Sequence, residues 1–137
     1  MVGGGITVRH LIWEKTNPLP LNGEKVYLSG IENAVLARKS NATFNAFCKN
    51  TVFHYPAGTS KLHPTEKNHK LLAELISDNS NVGDVVFDPC AGSASTLLVA
   101  NELGRKYIGF ELDASFYKKA KERLDNETAQ MNIFDFM

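Results

Sequence analysis

Two rhythms of apolar and polar positions divide this chain. Ile6 to Lys15 (ITVRHLIWEK) is dense in β-branched and aromatic residues and predicts a strand. It ends at TNPLPLNGEK, where prolines and an Asn-Gly pair mark a turn or loop. Glu32 to Lys39 (ENAVLARK) predicts a second strand. Ser40 to Ser60 is polar and aromatic, with Tyr55-Pro56 and Ala57-Gly58 as breakers. It predicts a loop with one short strand near TVFHY.

After His63-Pro64 the period changes. Thr65 is placed to cap a helix, and Leu71, Leu72, Leu75 and Ile76 fall at helical spacing behind it. Asn79 to Gly83 closes that helix. Asp84 to Asp88 (DVVFD) predicts a short buried strand, Ser95 to Leu103 a small apolar helix stopped by Gly104, and Lys106 to Glu111 (KYIGFE) a further strand. Ala114 to about Thr128 predicts an amphipathic helix. The tail MNIFDFM is apolar and reads as a last strand or a docking tail. Helices alternating with strands from residue 65 to 128 imply a parallel sheet in an α/β sandwich.

Composition narrows the class without naming a function. The chain has 137 residues, the size of one ordinary domain, with 43% hydrophobic and 22% charged residues. No apolar run approaches the roughly 20 residues that span a bilayer, and MVGGGITVRH lacks the charged and apolar regions of a signal peptide. Cys48 and Cys90 do not make a disulfide framework and read as free thiols of a cytoplasmic protein. No C-x-x-C or histidine cluster points to a metal. The net charge is zero, yet Asn33 to Thr65 has no Asp or Glu and holds Arg38, Lys39, Lys49 and Lys61. That segment suits a polyanion, although a solvated loop explains it as simply.

Chemistry concentrates at FDPCAGSAST, Phe87 to Thr96, which reads as strand end, glycine turn and helix start. In an open parallel sheet, ligands bind outside the carboxyl ends of strands, where Asp88 lies. Gly92 allows close backbone approach or a positive φ. The N–H groups opening the Ser95 helix would suit a carboxylate. Glu111 follows Gly92 by about 20 positions, at the end of the next strand, and is placed to accept two ribose hydroxyls. A purely connecting turn with Glu111 as a surface carboxylate is the plainer alternative. The turn is neither G-x-G-x-x-G nor a P-loop, which disfavours a pyrophosphate ligand and a dinucleotide-dependent oxidoreductase. A nucleoside carrying a carboxylate fits better, and S-adenosylmethionine is one.

These residues carry a resemblance. HPTEKNHKLLAELI, GDVVFDPCAGSAST and YIGFELDASFYKKAKERL, in that order, resemble the C-terminal part of the β-class DNA amino-methyltransferases of bacteria and phages. HLIWEKTNPLPLNG and IENAVLARK are similar to the segment preceding their target-recognition region. The resemblance implies an α/β fold: a partial Rossmann-like class I methyltransferase sandwich with a mostly parallel sheet, its central strands missing. Residues 1–60 would hold strands and a DNA-facing segment, and 61–137 the S-adenosylmethionine-binding βαβ part, together one incomplete domain. Asp88, Cys90, Ala91, Gly92, Ser93, Ser95 and Thr96 would form the cofactor loop. Glu111 would bind ribose, Phe110 and Asp113 would lie near adenine, and His63, Pro64, Thr65 and Lys67 would close over the methionine end. The sequence departs from the pattern at Asn68 (usually proline), Ala94 (usually glycine, so that an extra methyl meets a close approach) and Cys90 (commonly phenylalanine).

The family's catalytic tetrapeptide, [DNS]-P-P-[YWF], is not in this sequence. Its nearest string is Asn17-Pro18-Leu19-Pro20, where Leu19 interrupts the prolines and Pro20 replaces the aromatic. The family places that motif N-terminal to everything seen here. No catalytic residue is therefore assigned. The expected partners are double-stranded DNA, through Arg38, Lys39, Lys49 and Lys61, and either a second polypeptide carrying the tetrapeptide or a homo-oligomer. A non-catalytic cofactor- or DNA-binding subunit is the alternative. Phe44, Phe47, Phe53 and Tyr55 would stack at a DNA target or, more simply, pack into a small core.

Overall fold

A computed structural model describes residues 5–20, 23–57 and 66–134, with side chains of the last helix up to residue 128. The chain forms two compact units, Met1–Ala57 and Gly58–Met137.

The first unit is a three-stranded sheet, order β2-β1-β3. β1 (Ile6–Lys15) and β2 (Ile31–Lys39) pair antiparallel from Ile6↔Lys39 to Glu14↔Ile31. β3 (Val52–Tyr55) adds to β1 in parallel, with Trp13 opposite Phe53. Trp13 and Phe53 are buried there. The indole Nε1 of Trp13 donates to the Tyr55 carbonyl at 2.8 Å, so the large apolar ring is buried without stranding its polar atom.

The core expectation for the aromatic cluster holds for Phe53 only. Tyr55 is half-buried, Phe44 is exposed with the Arg38 guanidinium 5.5 Å from its ring centre, and Phe47 is 95% exposed. In the loop from residue 40 to 51 only Ala46 is buried, and no strand or helix lies there for the rings to pack into.

The second unit runs α1 (His69–Asn79), β4 (Val85–Asp88), α2 (Ser95–Glu102), β5 (Lys106–Gly109) and α3 (Ala114–Phe134). β4 and β5 pair in parallel, Val85↔Lys106 to Asp88↔Gly109. The alternation of the strands decides which face is covered. Val86 and Tyr107 pack with Ile76, Val99 and Ala100 from α1 and α2. Tyr107 also meets a second cluster of Ala94, Leu97 and Ala120, which brings in α3. Gly109 has no side chain because Leu97 occupies that space: a Cβ there would lie 2.4 Å from Leu97 Cδ1. The opposite face, Val85, Phe87 and Ile108, is 50–56% exposed.

Three boundaries differ from the sequence reading. Thr65 lies outside the described residues, and the cap of α1 is Asn68, whose Oδ1 accepts from the amides of Lys70 (2.9 Å) and Leu71 (3.2 Å). The residue that departs from the family pattern thus satisfies two orphan donors of the first turn. β5 stops at Gly109 rather than Glu111: Phe110 still bonds Asp88 and Ala91, and the chain then turns away. α3 continues to Phe134, which places the start of the MNIFDFM tail in helix instead of strand; residues 135–137 lie outside the described range.

Candidate functional site

The turn after β4 is built from local hydrogen bonds. Asp88 Oδ1 accepts from the Cys90 amide at 3.0 Å, folding the chain back over the strand end. Gly92 has φ 54 and Ala94 φ 62, both left-handed. For Ala94 that conformation costs on the order of 1 kcal/mol. Its methyl is fully buried with Leu97 and Ala120. Ala94 is not among the residues that line the cleft described below, but it does line the neighbouring groove between β5 and α3.

Glu111 reaches back from the end of β5 to this turn. Its Oε2 accepts from the Gly92 amide at 2.8 Å and its Oε1 from the Asp113 amide at 2.9 Å. These bonds, Asp113 first and Gly92 next, hold its carboxyl below the usual range. Each oxygen keeps lone-pair capacity after accepting one amide, so the carboxylate is fixed in place, ionised and still able to accept two hydroxyls.

Glu66, Lys67, Asp88, Cys90, Ala91, Gly92, Ser93, Ser95, Thr96 and Glu111 line one cleft of ≈ 290 Å³. Of the anticipated cofactor residues, this cleft brings together Lys67, the whole Asp88–Thr96 set and Glu111. His63, Pro64 and Thr65 lie outside the described residues, as does Lys61. Phe110 is on the wall of a neighbouring ≈ 360 Å³ groove between β5 and α3, which Ala91 and Glu111 line as well, with its ring edge-on to Phe87 at 5.9 Å. Asp113 lines neither: its Oδ1 caps α3 through the Ser115 and Phe116 amides and the Ser115 hydroxyl. That hydroxyl is the largest cause holding the Asp113 carboxyl low.

Sequence reasoning missed the buried polar centre beneath the cleft. The Glu66 side chain is 5% exposed and that of Arg123, on α3, is 14%. Glu66 Oε1 accepts from Arg123 Nη1 at 2.9 Å and Ser95 Oγ at 2.7 Å, and lies 3.2 Å from His69 Nε2. Burial alone would lower the Arg123 pKa, but hydrogen bonds to Glu66 and Glu127 outweigh it and raise it. One signal was available: Arg123 stands next to Leu124 on the inward side of α3, where the helical pattern calls for an apolar residue.

The sequence matches the family model described as DNA methylase over residues 24–122. The chain belongs to this DNA methylase family. It is 28% identical over 138 aligned positions to the type II methyltransferase M2.DpnII of Streptococcus pneumoniae, covering 88% of this chain and 52% of that protein. It is 48% identical over 63 residues to the DNA adenine methyltransferase YhdJ of Escherichia coli, which covers 46% of this chain and 21% of YhdJ. Among solved structures it is similar to the M1.HpyAVI–SAM complex, with TM-score 0.73, 33% identity, and coverage of 88% of this chain and 63% of that one. This DNA methylase chain therefore spans from a fifth to under two thirds of the length of these relatives, and the α/β fold with parallel strands is theirs as well.

Proposed function

We propose that this chain supplies the S-adenosylmethionine-binding part of a DNA amino-methyltransferase acting on the exocyclic amine of adenine, with cytosine the alternative base. The observation that carries the reading is the Glu111 carboxylate bound to the Gly92 amide at the mouth of the cleft. It is an oriented acceptor pair for vicinal hydroxyls beside a glycine turn. The cleft also fits the rest of that cofactor. With Glu66 neutralised by Arg123, its charged lining is Asp88 and Glu111 against Lys67. An excess of acids suits a ligand that carries a sulfonium and an ammonium, while Lys67 and the amides at the start of α2 suit its single carboxylate. The similarity to the M1.HpyAVI–SAM complex supports the same ligand, and the similarity to YhdJ favours adenine.

The bound cofactor would supply an electrophilic methyl group. The work of this chain is to orient it: Glu111 at the ribose, the 90–96 turn beneath, and Lys67 at the methionine end. Proximity then contributes much of the barrier reduction. The amine itself must be held and its lone pair sharpened by the [DNS]-P-P-[YWF] motif after base flipping. That motif is absent from this sequence. We assign it to a second polypeptide or to a longer form of the protein, with a homo-oligomer as the alternative assembly. The bare apolar face Val85, Phe87 and Ile108 supports such an addition. Arg38, Lys39, Lys49 and Lys61 are the proposed phosphate contacts on double-stranded DNA, in a bacterial or phage-encoded cytoplasmic enzyme.

A second reading, a subunit that binds cofactor or DNA and catalyses nothing, is favoured by the same missing motif. Calorimetric titration of the chain with S-adenosylmethionine, alongside Glu111→Ala, tests the cofactor reading. Saturable binding lost in the variant is expected. A folded chain that binds nothing would sink it. Methyl transfer to DNA by the chain in the presence and absence of a tetrapeptide-bearing partner separates the two readings.

A further inference from the structure

We infer that Glu66 and Arg123 act together as positioning residues that lock the methionine-side wall of the cleft, an inference that rests on the cofactor reading above. Three segments remote in sequence meet at this pair. Glu66 leads into α1, Ser93 and Ser95 belong to the turn and the start of α2, and Arg123 comes from α3. Arg123 Nη1 donates to Glu66 Oε1 at 2.9 Å and to the Ser93 carbonyl at 3.1 Å, while Ser95 Oγ donates to the same Glu66 oxygen at 2.7 Å. The Ser93 and Ser95 hydroxyls are themselves 3.0 Å apart. Glu66, Ser93 and Ser95 line the cleft and Arg123 does not. Arg123 therefore acts through the others, from behind the wall.

The arrangement has two physical consequences for a ligand. The Ser93 carbonyl is tied down, which fixes the amides that follow it at the start of α2. The Glu66 charge is also cancelled by a partner that burial has removed from solvent, so a ligand carboxylate approaching this wall meets a neutral pair instead of an unscreened anion. Glu111 holds the turn through a separate bond, at the Gly92 amide. The pair should govern the amino-acid half of the ligand and leave the nucleoside half alone. His69 Nε2 lies 3.2 Å from both Glu66 Oε1 and Arg123 Nη2. One ring nitrogen cannot serve a carboxylate as donor and a guanidinium as acceptor at once, so the geometry of the pair does not depend on His69 alone.

The test uses the full chain and two probes: S-adenosylmethionine, and 5′-methylthioadenosine, which lacks the amino-acid half. Calorimetry and thermal melts are run on the wild type, Arg123→Met, Glu66→Gln and the double variant. Arg123→Met is expected to weaken S-adenosylmethionine at least about tenfold and methylthioadenosine less than about twofold. If the two residues form one unit, the double variant binds S-adenosylmethionine no worse than Arg123→Met, so the single effects do not add. Unchanged S-adenosylmethionine binding overturns the inference. So does an equal loss for both probes, which would make the pair a general structural brace; Glu66→Gln, close in shape to the native side chain, gives the same comparison should Arg123→Met fail to fold. A wild-type chain that binds neither probe would instead overturn the cofactor reading itself.

Discussion

Glu111 Oε2 accepts a 2.8 Å hydrogen bond from the backbone amide of Gly92 across the ends of two parallel strands. One carboxylate thereby shapes the turn and presents the proposed ribose acceptor. Glutamine at this position is nearly isosteric but carries an NH2 where one oxygen stood, and that NH2 must face either the Gly92 or the Asp113 amide. Glu111→Gln is accordingly expected to lose S-adenosylmethionine affinity by at least about tenfold, like Glu111→Ala, since hydrogen bonds to a charged group contribute about 1.5–3 kcal/mol. Calorimetric rescue by glutamine would show that shape alone suffices.

The same carboxylates make the fold sensitive to acid. Glu111 is held below its ordinary value of 4.5 by the Asp113 and Gly92 amides, and Asp113 below 3.8 by the Ser115 hydroxyl and then the Phe116 amide. A depressed folded pKa contributes stability that is fully present above the unfolded pKa and lost as pH falls through the folded one. The melting temperature should be flat in this respect near neutrality and drop as pH falls below the ordinary carboxylate range. The Glu111→Gln/Asp113→Asn double variant should start lower and show a shallower drop. Parallel curves for the two proteins would contradict this.

Gly109→Ala tests the packing behind the site. The added methyl would meet Leu97 at 2.4 Å from Cδ1 and 3.2 Å from Cγ. Leu97 is buried and borders the β5–α3 groove, so its side chain must swing out of its packed position toward that groove. A loss of about 1–3 kcal/mol is expected, read as a lower midpoint in chemical denaturation. Leu97 and Gly109 both wall the β5–α3 groove, which shares Ala91 and Glu111 with the cleft, so ligand affinity in the folded fraction is expected to fall as well.

Local pattern made most of the elements legible. The β-branched run at Ile6–Lys15 and the helical leucines at 71–76 each encode one face buried against a neighbour, and such periodicity is written residue by residue. The glycine turn and Glu111 were legible as well, because their spacing reflects one strand-helix-strand unit. The Glu66–Arg123 pair was not. It joins positions 57 apart in sequence, and the one local mark, a cation on the inward side of α3 beside Leu124, does not name its partner. Asn68 shows the converse. Against the family pattern it is only a departure from proline, whereas the structure uses it as a helix cap. Phe44 and Phe47 misled because aromatic composition says that rings need cover and not where cover exists.

Asn68→Ala follows from that cap. Removing Oδ1 leaves the Lys70 and Leu71 amides without the partner they have here. A cost of about 1 kcal/mol is expected, and serine, which can accept the same bonds, should restore most of it. Since Glu66 sits only two positions earlier, the experiment also asks whether fraying at the start of α1 reaches the cleft. S-adenosylmethionine affinity falling together with stability in Asn68→Ala, and returning in Asn68→Ser, would tie the two.

The basic segment makes a prediction in which the candidate residues are unequal. Arg38 is half-buried, donates to the Ala42 carbonyl and lies over the Phe44 ring, whereas Lys39 and Lys49 are exposed. A cation that neutralises a phosphate releases counterions, so each such contact steepens the salt dependence of binding by close to one unit of log K against log salt. Lys39→Ala and Lys49→Ala should each reduce that slope by about one in duplex DNA binding measured across a salt series. Arg38→Ala should change the slope less and the stability more, because it removes the loop's own tether. A slope unaffected by either lysine substitution would place the DNA-facing surface elsewhere on the chain.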